Sequence, residues 1–424
     1  MNVYAVKRLT PSNQIIDVRV PASKSILNRA MLLAALSQGV VRLECGAFSA
    51  DTRAFLRCLN AVGIQTEQDG EGVTVHGCGG DIPNKTARLN VESAGTAARF
   101  LTVALAFCGG DYTLDSSEQM RKRPMKELLD LLQTLGVCVE YLQEEGKFPF
   151  RLTSTGITAK SAAVDTEKSS QYASAILLSA SALSFPFTLT LTGARTRGSY
   201  VQITLDMLDA FHVPYARNGN DVTVFPAQGA PNEVSIEPDL SGACYFYALS
   251  LLFRTKVRVY GVRSTCMQGD KKFLSILEEK GVRFTDTEKG LLADGSGVSS
   301  FSGFNVDMRD FSDQALTLSA IAPFATSPTV ILNVGHIRLQ ECDRINAICE
   351  NLNALGIPTT SNGNDVFITP AQIQGGTVRT FDDHRVAMAF ALIGLKTGNV
   401  VIENPECCRK TFDTYFEILD KLTK

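Results

Sequence analysis

Histidine is scarce, at four in 424 residues, and none of the eleven cysteines forms a CxxC pair. Clustered ligands at metal-binding spacing are lacking, so no metal site is expected. The cysteine count is odd, and a disulfide framework belongs to small secreted chains. The thiols read as small hydrophobes kept reduced in a cytoplasmic protein. The first residues, MNVYAVKRLTPSNQ, lack the apolar core of a signal peptide. No run of ~20 uninterrupted apolar residues occurs, so no transmembrane helix and no membrane partner are expected. Strong charge of one sign is missing too, since the formal net charge is −3. No nucleic-acid partner is expected, and any affinity for anions must come from local clusters of Arg and Lys. Neither GxGxxG nor GxSxG is present, so the pattern offers no dinucleotide turn and no activated serine.

What is present is a repeat. The composition is globular, with 45% hydrophobic and 20% charged residues, and the length suits two domains of roughly 200 residues. A polar start followed by an apolar run of small residues occurs six times, beginning at Ser23, Ser93, Ser169, Asp239, Phe311 and Asp382. These starts are 70, 76, 70, 72 and 71 residues apart. Each run is followed by a β-rich segment such as FTLTLTG or TVILNVG, then by a second helical pattern such as RPMKELLDLLQTLG, usually closed by Gly. Further strands such as GVTVHG or DVFITP complete the first five copies. The unit is roughly α-β-α-β-β. Its first helix is apolar on most faces and therefore buried, so three units per domain would share one core. An ordinary doubly wound α/β fold is the alternative, and the regular period disfavours it. The boundary falls near Glu237-Pro238-Asp239, where Pro238 suits a hinge. This gives an N-terminal domain over 21–237 and a C-terminal domain over 238–424. Residues 1–20 read as a lone strand that completes the second domain.

The apolar helices start with polar and often cationic residues: Lys24, Ser25 and Arg29; Ser93, Thr96 and Arg99; Ser169, Ser170 and Gln171; Asp313; Asp383 and Arg385. Ser and Asp there can serve simply as caps. Caps do not explain cations in a first turn, where the helix dipole disfavours them and favours anions. If these helix starts face one cleft, the field there is strongly positive. More charge precedes the second helices: Arg121-Lys122-Arg123, Arg195 and Arg197, Arg338 to Arg344, and Arg409-Lys410. Together they imply substrates with several phosphate or carboxylate charges, which suit the Arg fork. With no nucleophile in view, acid–base work by carboxylates or Lys remains. Asp313 and Glu341 are the candidates, and a salt-bridge role for either is the competing reading.

These segments together resemble the 5-enolpyruvylshikimate-3-phosphate synthases, of the enolpyruvyl transferase family. The matching stretches are PASKSILNR (21–29), AGTAAR (94–99), RP (123–124), SSQ (169–171), SYVQITLDML (199–208), SDQALT (312–317), IRLQECDR (337–344), DDHRVAM (382–388) and RKTF (409–412). The resemblance spans essentially the whole chain. It implies an α/β fold of two domains, each of three βαβαββ units, with the active site in the cleft between them. It also implies a reaction. The enolpyruvyl group of phosphoenolpyruvate passes to the 5-hydroxyl of shikimate 3-phosphate, phosphate leaves, and no cofactor is needed. Carried over, Lys24, Ser25, Arg29, Ser169, Ser170, Gln171, Tyr200 and Asp313 meet shikimate 3-phosphate. Lys24, Gly95, Arg123, Gln171 and Lys410 meet the phosphate side of phosphoenolpyruvate, and Arg344 and Arg385 its carboxylate. Asp313 is the base for the 5-hydroxyl, and Glu341 or Lys24 the acid at C3.

Four positions depart from the pattern. Arg197 stands where Ser is common, Gln340 where Lys is common, His336 where Asn is common and Ser93 where Asn is common. Arg197 is expected to restore the charge that Gln340 loses. Gly95 lies where a side chain would crowd phosphoenolpyruvate and its competitor glyphosate, so glyphosate sensitivity is expected. Two alternatives stand beside this reading. One is the sister enzyme acting on UDP-N-acetylglucosamine, although the loop DSSEQMRKR lacks the Cys usual there. The other is a non-catalytic repeat protein that binds phosphorylated metabolites. A monomer is expected, because two domains bury their cores internally.

Overall fold

The structure is a computed structural model and describes residues 2–10, 14–46, 48–167, 169–193 and 195–424. The chain divides into two compact units, Ala22–Ile236 and Met1–Pro21 with Glu237–Lys424. Ala22–Ile236 holds α1 (Lys24–Leu36), α2 (Ala50–Ala61), α3 (Gly95–Cys108), the single turn α4 (Glu118–Arg121), α5 (Lys126–Thr134), α6 (Ser170–Ala180) and α7 (Ser199–Ala210). The other unit holds α8 (Leu240–Phe253), α9 (Lys271–Glu279), α10 (Ala315–Ile321), α11 (Arg344–Ala354), α12 (His384–Thr397) and α13 (Tyr415–Leu422). The apolar run of each repeat forms α1, α3 and α6 in one unit and α8, α10 and α12 in the other, and each trio packs together. Their composition explains the packing. In α8 all fourteen residues are buried, with no charged side chain among them. A helix apolar all round stays in water only at a cost of ~1.5–3 kcal/mol per large side chain, so it goes to the centre. The second helices are amphipathic. Thus α5 buries Leu128, Leu129 and Leu132, and α9 buries Phe273, Leu274, Ile276 and Leu277.

Among the described residues, five sheets have four strands and one has three. Within each four-stranded sheet the order is the same. Thr86–Asn90, before α3, pairs parallel with Gly110–Asp115 after it. The latter pairs antiparallel with Phe150–Ser154, whose hairpin partner Cys138–Tyr141 lies at the edge. Residues 1–20 do not make one strand; among the described residues there are two, each of three residues. Val3–Ala5 pairs antiparallel with the strand Val400–Glu403, in the place a hairpin takes in the other five copies. Ile16–Val18 precedes α1 in sequence, yet it pairs parallel with Val257–Val259 of the other unit's first copy. Reciprocally, Glu233–Ser235 precedes α8 but pairs parallel with Arg42–Glu44. Each unit's first copy thus takes its leading strand from the stretch of chain that precedes the other.

The fifth apolar run is shorter than its pattern suggests. Ser312–Gln314 and Ala322–Phe324 are 3-10 turns on either side of α10. Pro323 lacks the N–H that an α-helical continuation would use.

The N-terminal segment is held against α12. Val6 is 3% exposed, and its N–H donates to the Val400 carbonyl at 3.0 Å. A Cβ added at Gly394 of α12 would lie 2.5 Å from Val6 Cβ. Alanine gains about 1 kcal/mol in helix propensity, but overpacking costs ~1–3 kcal/mol, so the clash wins. Gly394→Ala is expected to lower the unfolding free energy by about 1 kcal/mol in a denaturant titration. Unchanged or higher stability would show that the segment moves aside without loss.

Candidate active site

In the unit containing α8 to α13, six charged side chains meet. Arg344 is the first residue of α11, after an Asp343 cap that accepts from Asn346 N–H. It is 1% exposed, yet its guanidinium touches three carboxylates. Nε donates to Asp383 Oδ2 at 2.8 Å, Nη1 to Asp313 Oδ1 at 2.9 Å and Nη2 to Glu341 Oε2 at 2.9 Å. Nη1 also meets Gln340 Oε1. Arg385, in the first turn of α12, reaches Asp313 Oδ2 at 2.9 Å, and Lys410 Nζ lies 3.4 Å from Glu341 Oε1. Three cations thus face three anions. Burial opposes the Arg344 charge, but Asp383, Glu341 and Asp313 outweigh it and raise its affinity for the proton. Asp383 is fully buried and also caps α12 by accepting from Arg385 N–H at 2.8 Å. One carboxylate therefore fixes both arginines, Arg344 through its side chain and Arg385 through its backbone. His336 sits on the 3-10 turn Gly335–Leu339, and its Nε2 is 2.8 Å from Ser312 Oγ, beside Asp313 in sequence.

In Ala22–Ile236 the helix starts are tied together instead by neutral partners. Asn28 Nδ2 donates to Thr96 Oγ1 at 2.5 Å, joining α1 to α3. The Pro124 carbonyl accepts from Arg99 Nη2 at 3.0 Å and from the Tyr172 hydroxyl at 3.1 Å, which joins α3 and α6 to the loop carrying Arg123. Arg29 is 1% exposed and donates to Thr204 Oγ1 (2.9 Å), Ser174 Oγ (3.0 Å), the Ser25 carbonyl (2.7 Å) and the Tyr200 carbonyl (3.3 Å). Among the described residues no carboxylate pairs with it. Burial pulls its pKa down to about 10. A buried cation held only by neutral groups favours an anion nearby. Gly95 opens α3, and a Cβ there would lie 2.6 Å from Arg123 Nη1. The Arg123 guanidinium therefore rests against the positive end of a fourteen-residue helix, where the dipole favours an anion. Lys24, the first residue of α1, pairs with buried Asp51 at 3.0 Å. Ser169 caps α6 by accepting from Gln171 N–H at 3.2 Å, and Ser170 is the first helical residue. Among the described residues the buried Gln171 Oε1 has no hydrogen-bond partner.

The structure therefore gathers Asp313, Glu341, Gln340, Arg344, Arg385 and Lys410 into one cluster. Separately it brings Gly95 to Arg123, and Ser25 and Tyr200 to Arg29. Arg197 is exposed, and its charge depresses that of Arg217 after burial has done most of that work. Three participants escaped the sequence reading as site residues: Asp51, Asp270 and Asp383. Asp383 stood in view in the DDHR start, whereas Asp51 and Asp270 carry no local signal, since only the fold buries them. Asp270 is 8% exposed, and burial, then the charge of Asp313, raises its carboxyl to about 6. Burial also pushes the Cys45 and Cys58 thiols up to about 12, which leaves them inert.

Arginines, a lysine and carboxylates around helix starts suit anionic ligands and acid–base work. The model of the family described as EPSP synthase (3-phosphoshikimate 1-carboxyvinyltransferase) matches residues 10–419. The 3-phosphoshikimate 1-carboxyvinyltransferase of Trichormus variabilis is 37% identical, with 98% of each chain covered. That of Neisseria gonorrhoeae is 36% identical, with 96% of each covered. Among solved structures, EPSP synthase from Acinetobacter baumannii superposes with a TM-score of 0.78 at 23% identity, covering 98% of this chain and 97% of that one. The enolpyruvyl transferase NikO from Streptomyces tendae does so at 0.74 and 19% identity, covering 99% and 96%, and both show the fold alone. On the family match and these relatives, the chain belongs to the EPSP synthases, the 3-phosphoshikimate 1-carboxyvinyltransferases.

Proposed function

We propose roles for the family's reaction in which the Arg344 cluster supplies the proton acceptors and takes the carboxylate of phosphoenolpyruvate, while the helix starts of Ala22–Ile236, with Lys410, hold the phosphates and Lys24 gives a proton. The reaction moves the enolpyruvyl group of phosphoenolpyruvate to the 5-hydroxyl of shikimate 3-phosphate and releases phosphate. The observation that carries these roles is Asp313, with one oxygen 2.9 Å from Arg344 and the other 2.9 Å from Arg385. Two arginines that share a carboxylate can share another, and a substrate carboxylate would compete for their forks. Asp313 then turns from salt-bridge partner to base.

The steps follow from the charges. Asp313 takes the proton of the 5-hydroxyl, and that oxygen bonds to C2 of phosphoenolpyruvate while C3 gains a proton. Lys24, held 3.0 Å from Asp51, is the donor of that proton in this scheme. Glu341, 2.9 Å from Arg344 and 3.4 Å from Lys410, takes the C3 proton back. Loss of that proton breaks the bond from C2 to the phosphate oxygen, leaving the enol ether and free phosphate. Arg29, Ser25, Ser169, Ser170, Gln171 and Tyr200 hold shikimate 3-phosphate. The unpartnered Gln171 Oε1 is suited to a ring hydroxyl. Arg123, Lys410 and the Gly95 backbone hold the departing phosphate. Arg197, beside Arg217, adds charge where the shikimate phosphate binds and offsets Gln340, whose amide is taken up by Arg344. A monomer in the cytoplasm fits this reading, since each unit closes its own core and all eleven thiols are free.

Three variants test the assignment, with phosphate release as the assay. Asp313→Ala should lose about 10²–10⁴-fold in kcat, the worth of a general base, while phosphoenolpyruvate still binds. Retained turnover would remove Asp313 from the chemistry. Gly95→Ala should displace the Arg123 guanidinium and raise KM for phosphoenolpyruvate roughly tenfold, with a parallel loss of glyphosate inhibition. An unchanged KM would place the phosphate elsewhere. Arg197→Ser should raise KM for shikimate 3-phosphate about fivefold, and no change would end the compensation argument.

A further inference from the structure

Asp270 closes the loop before α9 but does not cap that helix, because its side chain makes no capping bond. It turns the other way. Oδ2 accepts from Ser241 Oγ–H at 3.0 Å and Oδ1 from Gln314 Nε2–H at 2.8 Å. Ser241 lies in the first turn of α8. Gln314 is fully buried, ends the 3-10 turn that carries Asp313, and accepts from Thr317 Oγ1–H at 2.9 Å. The loop itself is anchored. Gln268 Oε1 accepts from Leu240 N–H at 2.9 Å, and Gln268 Nε2 donates to the Pro238 carbonyl at 2.8 Å. Met267 N–H donates to Glu237 Oε1 at 3.1 Å.

An amide could make the same two bonds without the cost of a buried charge. The charge therefore needs another reason, and its neighbours supply one. Asp313 faces Asp270 from the 3-10 turn, Arg385 from α12 and Asp239 from the cap of α8. Cys244 of α8 and Cys266 of its own loop flank it, and Lys271 next to it turns its Nζ to the Cys266 carbonyl at 3.4 Å. We propose that Asp270 is a positioning residue for the transfer reaction: through Gln314 it fixes the turn that carries Asp313, and its negative charge makes Asp313 a stronger proton acceptor. This rests on the reading of Asp313 as base. Burial, with Asp313 second, lifts Asp270 from its ordinary 3.8 to about 6, so its charge develops just below neutral pH.

Asp270→Asn keeps both hydrogen-bond positions and removes the charge. Its kcat and both KM values would be measured from pH 5 to 9 beside the parent and Asp313→Ala. We expect KM values within about twofold, kcat reduced about tenfold at neutral pH, and the acid limb of kcat moved down by about one pH unit. Folding should survive. An acid raised by burial stabilises the fold less as pH climbs from about 4 to about 6, so the variant loses nothing above that window. Parent-like kcat and pH profile in Asp270→Asn, beside an inactive Asp313→Ala, would overturn the role of Asp270 alone. Turnover surviving in Asp313→Ala would overturn the base assignment and this inference with it. Should Asp270→Asn fail to fold, Gln314→Met decides: kcat lost at unchanged KM supports the link, and parent kinetics overturns it.

Discussion

A guanidinium with almost no access to water must find its counter-charges inside the protein, and Arg344 finds three. Breaking such a group on one side costs about 3–5 kcal/mol, because the remaining charges stay buried and unpaired. The three carboxylates come from different stretches: Asp313 from a 3-10 turn, Glu341 from the loop before α11 and Asp383 from the cap of α12. Their convergence fixes where α10, α11 and α12 begin relative to one another. The fold of this unit and its chemistry therefore share one set of contacts. Asp383, fully buried, is the most structural of the three. Asp313 and Glu341 are 13% and 12% exposed, which leaves them within reach of a ligand.

The unit Ala22–Ile236 solves the opposite problem. Its cations Lys24, Arg29, Arg99 and Arg123 gather around helix starts with two carboxylates near, Asp51 and Glu127. Arg29 is held by two hydroxyls and two carbonyls, which take up most of its donors but not its charge. Neutral ligation of a buried cation leaves a field that an anionic ligand can complete. A negative ligand would gain most there, whereas at Arg344 it must displace a carboxylate already in place. The proposed roles draw on that contrast, with phosphates at cations that have neutral partners and a proton acceptor among carboxylates that can exchange theirs.

Much of this could be read from the sequence. The six apolar runs are legible because a buried helix must be apolar on all faces, and Ala, Ser and Gly recur in them for close packing. The cations at the helix starts are legible because they oppose the dipole and so ask for a reason. Other features are not legible. The strands at 16–18 and 233–235 are three residues each, too short to carry a period, and nothing local says that they pair with 257–259 and 42–44. The run from Phe311 looks like one helix because its apolar pattern continues through Pro323, although the backbone cannot. Asp51 and Asp270 look like ordinary surface acids, because burial of a carboxylate is decided by what folds over it.

Asp270 shows why such residues matter. A carboxylate buried against another carboxylate is the arrangement folding alone would avoid, since both desolvation and repulsion oppose it. Its hydrogen bonds to Ser241 and Gln314 could be made by a neutral amide, so they do not explain the charge. What explains it is a demand from outside the fold. A proton acceptor clamped by Arg344 and Arg385 is a weak base, because two cations stabilise its anion. A second negative charge close behind it restores basicity without taking a place in the substrate's path. The energy spent on burying Asp270 thus has its return in the reactivity of Asp313, and the hydrogen bond to Gln314, next to Asp313 in the chain, holds the two in register.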